Sequence, residues 1–299
     1  MGNEENWQAT PSDKAQGGGP KGPPQQVLCS EHDSRATRER RRSAGWVTQR
    51  LEILLVPIAM VALTGVWWII VRVRDYPVFL LPAPGQVWDR FVAAASDGTL
   101  WLHTSVTLVE ILAGLALGLT SATLLGYLLA KAPLIERFLS PYIVASQSVP
   151  IVALAPLLIV WFGFGLLSKV LVCALTIFFP VLINTVVGLR SVPPDLRDLM
   201  RTLEASPWQV FRYLEMPAAL PVLLAGLKVG ATLSVIGAVV GEFAQSDRGL
   251  GFLVNLANRG LYDTPLMFVA LFVLMTIALA LYGMVSAVEA LMLKWNRGR

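Results

Sequence analysis

From residue 51 onward the chain is a succession of long apolar runs separated by short polar intervals. Six of them reach the roughly 20 residues that a helix needs to cross about 30 Å of hydrocarbon: Leu51 to Val71, Ser105 to Leu129, Ile143 to Phe162, Val170 to Leu189, Leu220 to Ala244 and Leu266 to Met292. The pattern predicts an all-α membrane protein with about six transmembrane helices, since an isolated apolar segment can satisfy its own backbone in lipid only as a helix. A shorter stretch, Pro84 to Trp101, sets Val87, Trp88, Phe91, Val92 and Ala95 at helical spacing with Asp89 and Arg90 opposite, which predicts an amphipathic helix on the outer surface. Pro150 and Pro156 in the third run and Pro180 in the fourth each remove a backbone donor and predict bends. Gly114 and Gly118, Gly226 and Gly230, and Gly237 and Gly241 are spaced four apart, which predicts close helix packing.

Composition agrees with a bilayer as solvent: 55% of the 299 residues are hydrophobic and 15% charged, and the mean hydropathy is +0.61. Residues 1–50 are the exception, rich in Gly, Pro, Gln and charge, and too poor in apolar surface to order themselves. They are expected to form a disordered basic cytoplasmic tail, leaving 51–299 as one transmembrane domain. Its Arg38 to Arg42 run, just before the first span, suits anionic lipid better than nucleic acid. Intervals assigned to the outside hold only Arg72, Arg74, Arg90, Lys169, Arg248 and Arg259, so the basic bias places both termini in the cytoplasm of a multi-pass protein of the bacterial plasma (inner) membrane. Neither cysteine, Cys29 or Cys173, has partners at metal-ligand spacing, and no catalytic set or carboxylate pair stands out. The segment from Gly163 to Val170 approximates a phosphate loop but has Ser168 at the second glycine and Val170 at the hydroxyl position. No catalytic residue, metal or cofactor is therefore expected in this chain.

One polar interval is organised beyond simple polarity. The loop 190–217 reads as two short helices with a break. The first starts at Pro194, with Asp195 and Asp198 near the positive end of its dipole. In the second, Ser206 caps, Pro207 takes the first helical position and Gln209 completes a capping box. Its apolar face is Trp208, Phe211 and Leu214, and Pro217 and Pro221 are expected to separate it from the fifth span. Such a face is covered either by a soluble partner or by the lipid headgroup layer.

The spacing of Asp198-Leu199-Met200, Glu204 and Leu214-Glu215-Met216-Pro217 resembles the E-A-A-x3-G-x9-I-x-L-P motif of the membrane subunits of binding-protein-dependent ABC importers. Leu203 to Phe211 and Met216 to Pro221 are similar to that motif as written in the nitrate, sulfonate and taurine branch. Leu81 to Pro84, Ala155-Pro156-Leu157, Phe178-Phe179-Pro180, Gly241-Glu242 and Gly249-Leu250-Gly251 also fit, so that the likeness covers roughly Phe79 to Trp295. The resemblance implies a type I ABC importer permease fold with a cytoplasmic coupling helix. It further implies a homodimer of permease copies, ABC ATPase subunits that bind the ATP, and an extracytoplasmic solute-binding protein. ATPase-coupling residues carried over are Asp198, Glu204, Ala205, Ser206, Trp208, Gln209, Phe211 and Pro217. Asp198 keeps the charge of the motif's glutamate, whereas Glu204 stands at its glycine, where a left-handed backbone costs a side-chain-bearing residue roughly 1 kcal/mol. The implied cargo is a small solute of the sulfonate, taurine, nitrate or vitamin-precursor type, and Asp263 to Leu266 and Leu281 to Gly283 are similar to the vitamin-precursor group.

Polar groups within the spans need a role because the bilayer penalises them. Ser146, Gln147, Ser148, Asn184 and Glu242 are candidates for a translocation path; for the first four the rival reading is helix-to-helix hydrogen bonding, and for Glu242 it is a contact with the binding protein or the solvated surface. Glu110 is weighed as Glu242 is, and Lys228 is expected to snorkel to the interface. An ion-coupled secondary transporter is the alternative function, but the chain shows no inverted repeat and such a carrier has no need of the capped loop.

Overall fold

The computed structural model describes residues 55 and 57–293, so the expected tail lies outside the described residues. The described residues are almost wholly helical: α1 (Pro57–Arg74), then α2 (Pro84–Ser96), α3 (Thr99–Lys131), α4 (Pro133–Gln147), α5 (Ile151–Phe162), α6 (Leu166–Arg190), α7 (Pro194–Thr202), α8 (Pro207–Val210), α9 (Met216–Gln245), α10 (Leu250–Leu256) and α11 (Thr264–Met292). Five helical stretches are long and apolar enough to cross a membrane, and α4 with α5 forms a further, broken candidate.

The core is built around α6, which lies between α3 and α9. Glycines make this possible. A Cβ on Gly118 of α3 would stand 2.7 Å from the Ala174 carbonyl of α6, and one on Gly237 of α9 would stand 2.7 Å from Cys173 Cα. All three glycine pairs face α6 or its side chains, which bears out the packing reading. A second layer joins α9, α10, α11 and α2 through buried Val87, Ala94, Leu250, Leu253, Leu266, Val269 and Ala270. Arg90 of α2 bonds Asp263 at the start of α11 at 2.7 Å, and Thr264 Oγ1 donates to the Phe79 carbonyl. The amphipathic stretch forms a helix about one turn shorter than expected, with Val87 and Ala94 buried, whereas Trp88 and Val92 of its expected apolar face are exposed and Arg90 of the opposite face is paired.

The bend expected at Pro150 is a full break in the third span: α4 and α5 meet at 96° across Ser148-Val149-Pro150, because Pro150 has no N–H to extend α4 and biases Val149 away from helix. Two expectations change. Lys169 is not in an outer loop but in the first turn of α6, buried against Glu110 of α3 at 2.9 Å. Lys228 does not simply snorkel; it pairs with Glu289 of α11 and sits over the Tyr282 ring.

Candidate functional site

The loop between α6 and α9 carries the site. Arg197 Nη2 donates to the Leu189 carbonyl at 2.8 Å and folds α7 back against the end of α6. Helix α7 then ends with Leu203 as its C-cap, next to the position where the motif carries glycine. The Glu204 N–H bonds the Arg201 carbonyl and the Ala205 N–H bonds the Met200 carbonyl, the paired closure of a Schellman end, with Glu204 left-handed at φ 51°. The strained position is the one where the motif carries glycine. Replacing Glu204 by glycine should remove about 1 kcal/mol of strain and slow exchange of the Ala205 amide roughly fivefold, measurable by hydrogen exchange mass spectrometry.

The second helix starts as its sequence predicts. The Ser206 N–H donates to Gln209 Oε1 at 2.7 Å, Gln209 N–H returns to Ser206 Oγ, and Pro207 takes the first position. Its end differs from expectation. Pro217 and Pro221 do not separate it from the fifth span; α8 passes through a π turn at Phe211–Glu215 into α9, giving one helical stretch from Pro207 to Ala244. The wider i→i+5 turn, closed by Met216 N–H on the Phe211 carbonyl, absorbs the missing donor of Pro217 without a break. Lys131 of α3 secures this turn by bonding buried Glu215 at 2.5 Å.

The apolar face of α8 is partly turned inward. Phe211 meets Tyr127 of α3 edge-on at 5.4 Å, Trp208 lies against Phe211, and the three border an apolar cavity of about 860 Å³ with Leu119, Leu124 and Leu189. Phe211 is thus committed to this chain, while Trp208 remains 68% exposed. The outward apolar stripe is on α7: Leu196, Leu199 and Leu203 are 44%, 53% and 67% exposed, beside an exposed Asp198–Arg201 pair at 3.0 Å. Site assignment from the motif omitted these leucines, although their 3 and 4 spacing was visible.

The path candidates are not brought to one place. Ser146, Gln147 and Ser148 are exposed at the α4–α5 corner, Ser146 Oγ bonding back to Tyr142. Asn184 is half-buried on α6, donates to the Pro180 carbonyl at 2.9 Å, and packs against Gly226. Glu242 is 1% exposed at the far end of α9, where Thr107 Oγ1 donates to it at 2.5 Å.

Residues 114–294 match the model of the binding-protein-dependent transport system inner membrane component. The chain belongs to that family. This permease is 48% identical over 250 residues, 83% of its length and 93% of the relative, to the riboflavin transport system permease protein RibX of Chloroflexus aurantiacus. It is 35% identical to the formylaminopyrimidine transport permease protein ThiX of Halalkalibacterium halodurans, covering 78% of this chain and 92% of that one. It is 30% identical to the taurine transport system permease protein TauC of Escherichia coli, covering 86% and 94%. The solved structure of the MetNI methionine ABC transporter in an inward-facing conformation shares the fold, with a TM-score of 0.53 at 19% identity over 65% of this chain and 94% of that chain. The permease is the membrane-spanning subunit of an ATP-driven ABC importer for a small solute, and it works with a separate ATPase and a solute-binding protein. The ion-coupled reading has no support in these relatives.

Proposed function

We propose that α7 and α8 are the contact through which ATPase subunits drive this permease, and that Asp198, Glu204, Ala205, Ser206, Trp208, Gln209, Phe211 and Pro217 build that contact. The observation that carries this reading is an exposed stripe, Leu196, Leu199 and Leu203, on α7, linked through the turn at Glu204 to the capped α8, which runs into α9 as one helical stretch from Pro207. Exposed apolar surface of this kind favours a protein partner, and Trp208 extends it. Within the set the residues divide by task. Asp198 and Trp208 face outward, whereas Ser206 and Gln209 hold the helix start, Glu204 and Ala205 close α7, Phe211 fixes the helix in this chain, and Pro217 stands in the first turn of α9. In this reading α7 and α8 and both termini lie in the cytoplasm, a second permease copy completes the translocation path, and ATP is bound by the partner ATPase.

For the cargo, the names of the relatives favour a nitrogen heterocycle of the vitamin or vitamin-precursor kind. The relatives at 48% and 35% identity are named for riboflavin and formylaminopyrimidine, against 30% for the taurine permease. Replacing Leu199 and Leu203 together by serine should lower co-purification of the ATPase at least about tenfold, since two buried leucines at an interface are worth upwards of 1.4 kcal/mol, while membrane insertion is retained. Full capture of the ATPase by the double variant would refute the contact. Cells carrying the intact importer should accumulate labelled riboflavin in preference to labelled taurine, and the reverse preference would overturn the cargo assignment.

A further inference from the structure

Buried ionisable side chains, His103, Glu110, Lys169 and Glu242, gather at the end of the bundle opposite α7 and α8. Helix α3 presents His103, Thr107 and Glu110 at i, i+4 and i+7, one face of the helix. Thr107 and Glu110 are 0% exposed, Glu242 1%, and His103 and Lys169 7%. Their bonds join four elements. Lys169 Nζ of α6 reaches Glu110 Oε1 of α3 at 2.9 Å and Ser246 Oγ, just after α9, at 2.6 Å. Thr107 Oγ1 donates to Glu242 Oε1 of α9 and accepts the Leu250 N–H of α10 at 2.8 Å, so a single oxygen ties three helices. The amides on either side are also taken: Gly249 N–H by His103 Nδ1 at 2.9 Å, and Gly251 N–H by Glu242 Oε2.

Stability alone does not account for this arrangement. Desolvating the charges costs several kcal/mol per ion, and a well-packed apolar replacement of a buried pair is commonly as stable or more so. What directional bonds add is a fixed relation between helices, since sliding or rotating one against another breaks them, whereas apolar contacts tolerate slippage. Helix α9 leads directly from this cluster to the opposite face: the helical stretch from Pro207 to Ala244 has 38 residues, a rise of roughly 57 Å.

We infer that the Thr107–Glu242–Leu250 knot and the Glu110–Lys169–Ser246 bridge form a clasp that makes the far ends of α3, α6, α9 and α10 move as one block when the ATPase displaces α8. The inference rests on the reading of α7 and α8 as the ATPase contact. Thr107 is its positioning residue: it joins the helices and needs no contact with the solute.

The test uses the full chain, spin-labelled at the exposed positions Trp101 of α3 and Asp247 beside α10, alone and assembled with its ATPase, nucleotide-free and trapped with ATP and vanadate. In the parent and in Thr107→Ser, which keeps the hydroxyl, one narrow distance should persist in every state. In Thr107→Val, which keeps the shape but not the hydroxyl, the narrow distance should be lost, the distribution should shift with nucleotide, and the Leu250 amide should exchange about tenfold faster. A parent distance that changes with nucleotide overturns the single-block inference, as does a Thr107→Val distance identical to the parent's. Should the parent chain fail to capture the ATPase, the contact reading falls, and the label pair in the chain alone still decides whether Thr107 holds the clasp together.

Discussion

Replacing Lys169 by methionine is expected to destabilise the folded permease by about 3–5 kcal/mol, because it leaves the Glu110 carboxylate buried without its ammonium partner. Glu110 is 0% exposed and its second oxygen has no hydrogen-bond partner among the described residues. The double variant Glu110→Met with Lys169→Met removes both charges and should recover most of the loss, as expected when an ion pair is exchanged for apolar side chains of similar bulk. Denaturant unfolding in detergent micelles measures the two. If the double variant is as unstable as the single one, the cost lies in shape and not in the orphaned charge.

Gly249→Ala should cost about 3 kcal/mol or more, from two separable causes. The backbone there has φ 120° and ψ 166°, a region essentially reserved for glycine, which contributes about 1–3 kcal/mol of strain. The added Cβ would also overlap the Glu242 carboxyl group, and overpacking of this kind costs a further 1–3 kcal/mol or so. The second variant Gly249→Ala with Glu242→Ala relieves the overlap but not the strain, so part of the loss should remain. Gly283→Ala is the control: a Cβ there meets nothing within 4 Å, and in a helix interior alanine should be neutral or better by up to about 1 kcal/mol. Equal loss from Gly249→Ala and Gly283→Ala in thermal unfolding would remove the structural reason for the glycine at 249.

The Gly249-Leu250-Gly251 and Gly241-Glu242 motifs show how differently sequence and structure inform. Both were visible as parts of a family pattern, but their chemistry was not, since Glu242 lies well before Gly249 in the chain and Thr107 and His103 belong to another helix. Only folding brings the carboxylate against the Gly251 amide and the imidazole against Gly249. The same distance in sequence hid the role of Lys169, which in a linear reading is one more basic residue beside an apolar run. Glu204 was the opposite case: the motif gave its position, and the φ of 51° shows that the left-handed turn is kept there in spite of the steric cost to a side chain.

By itself the sequence determined that this chain is a bundle of membrane helices with a capped, two-helix connector before Met216, because hydropathy, helix caps and proline act over a few neighbouring residues and leave their mark locally. The tertiary structure alone decided that α8 passes through a π turn into α9, that Phe211 packs on Tyr127 while the α7 leucines stay outside, and that Glu110, Lys169, Thr107 and Glu242 interlock. Each of these depends on which helix faces which. That choice is made by close approach at glycines and by the pairing of buried polar groups; the spacing of the glycines is legible along the chain, but the helix each one meets is not.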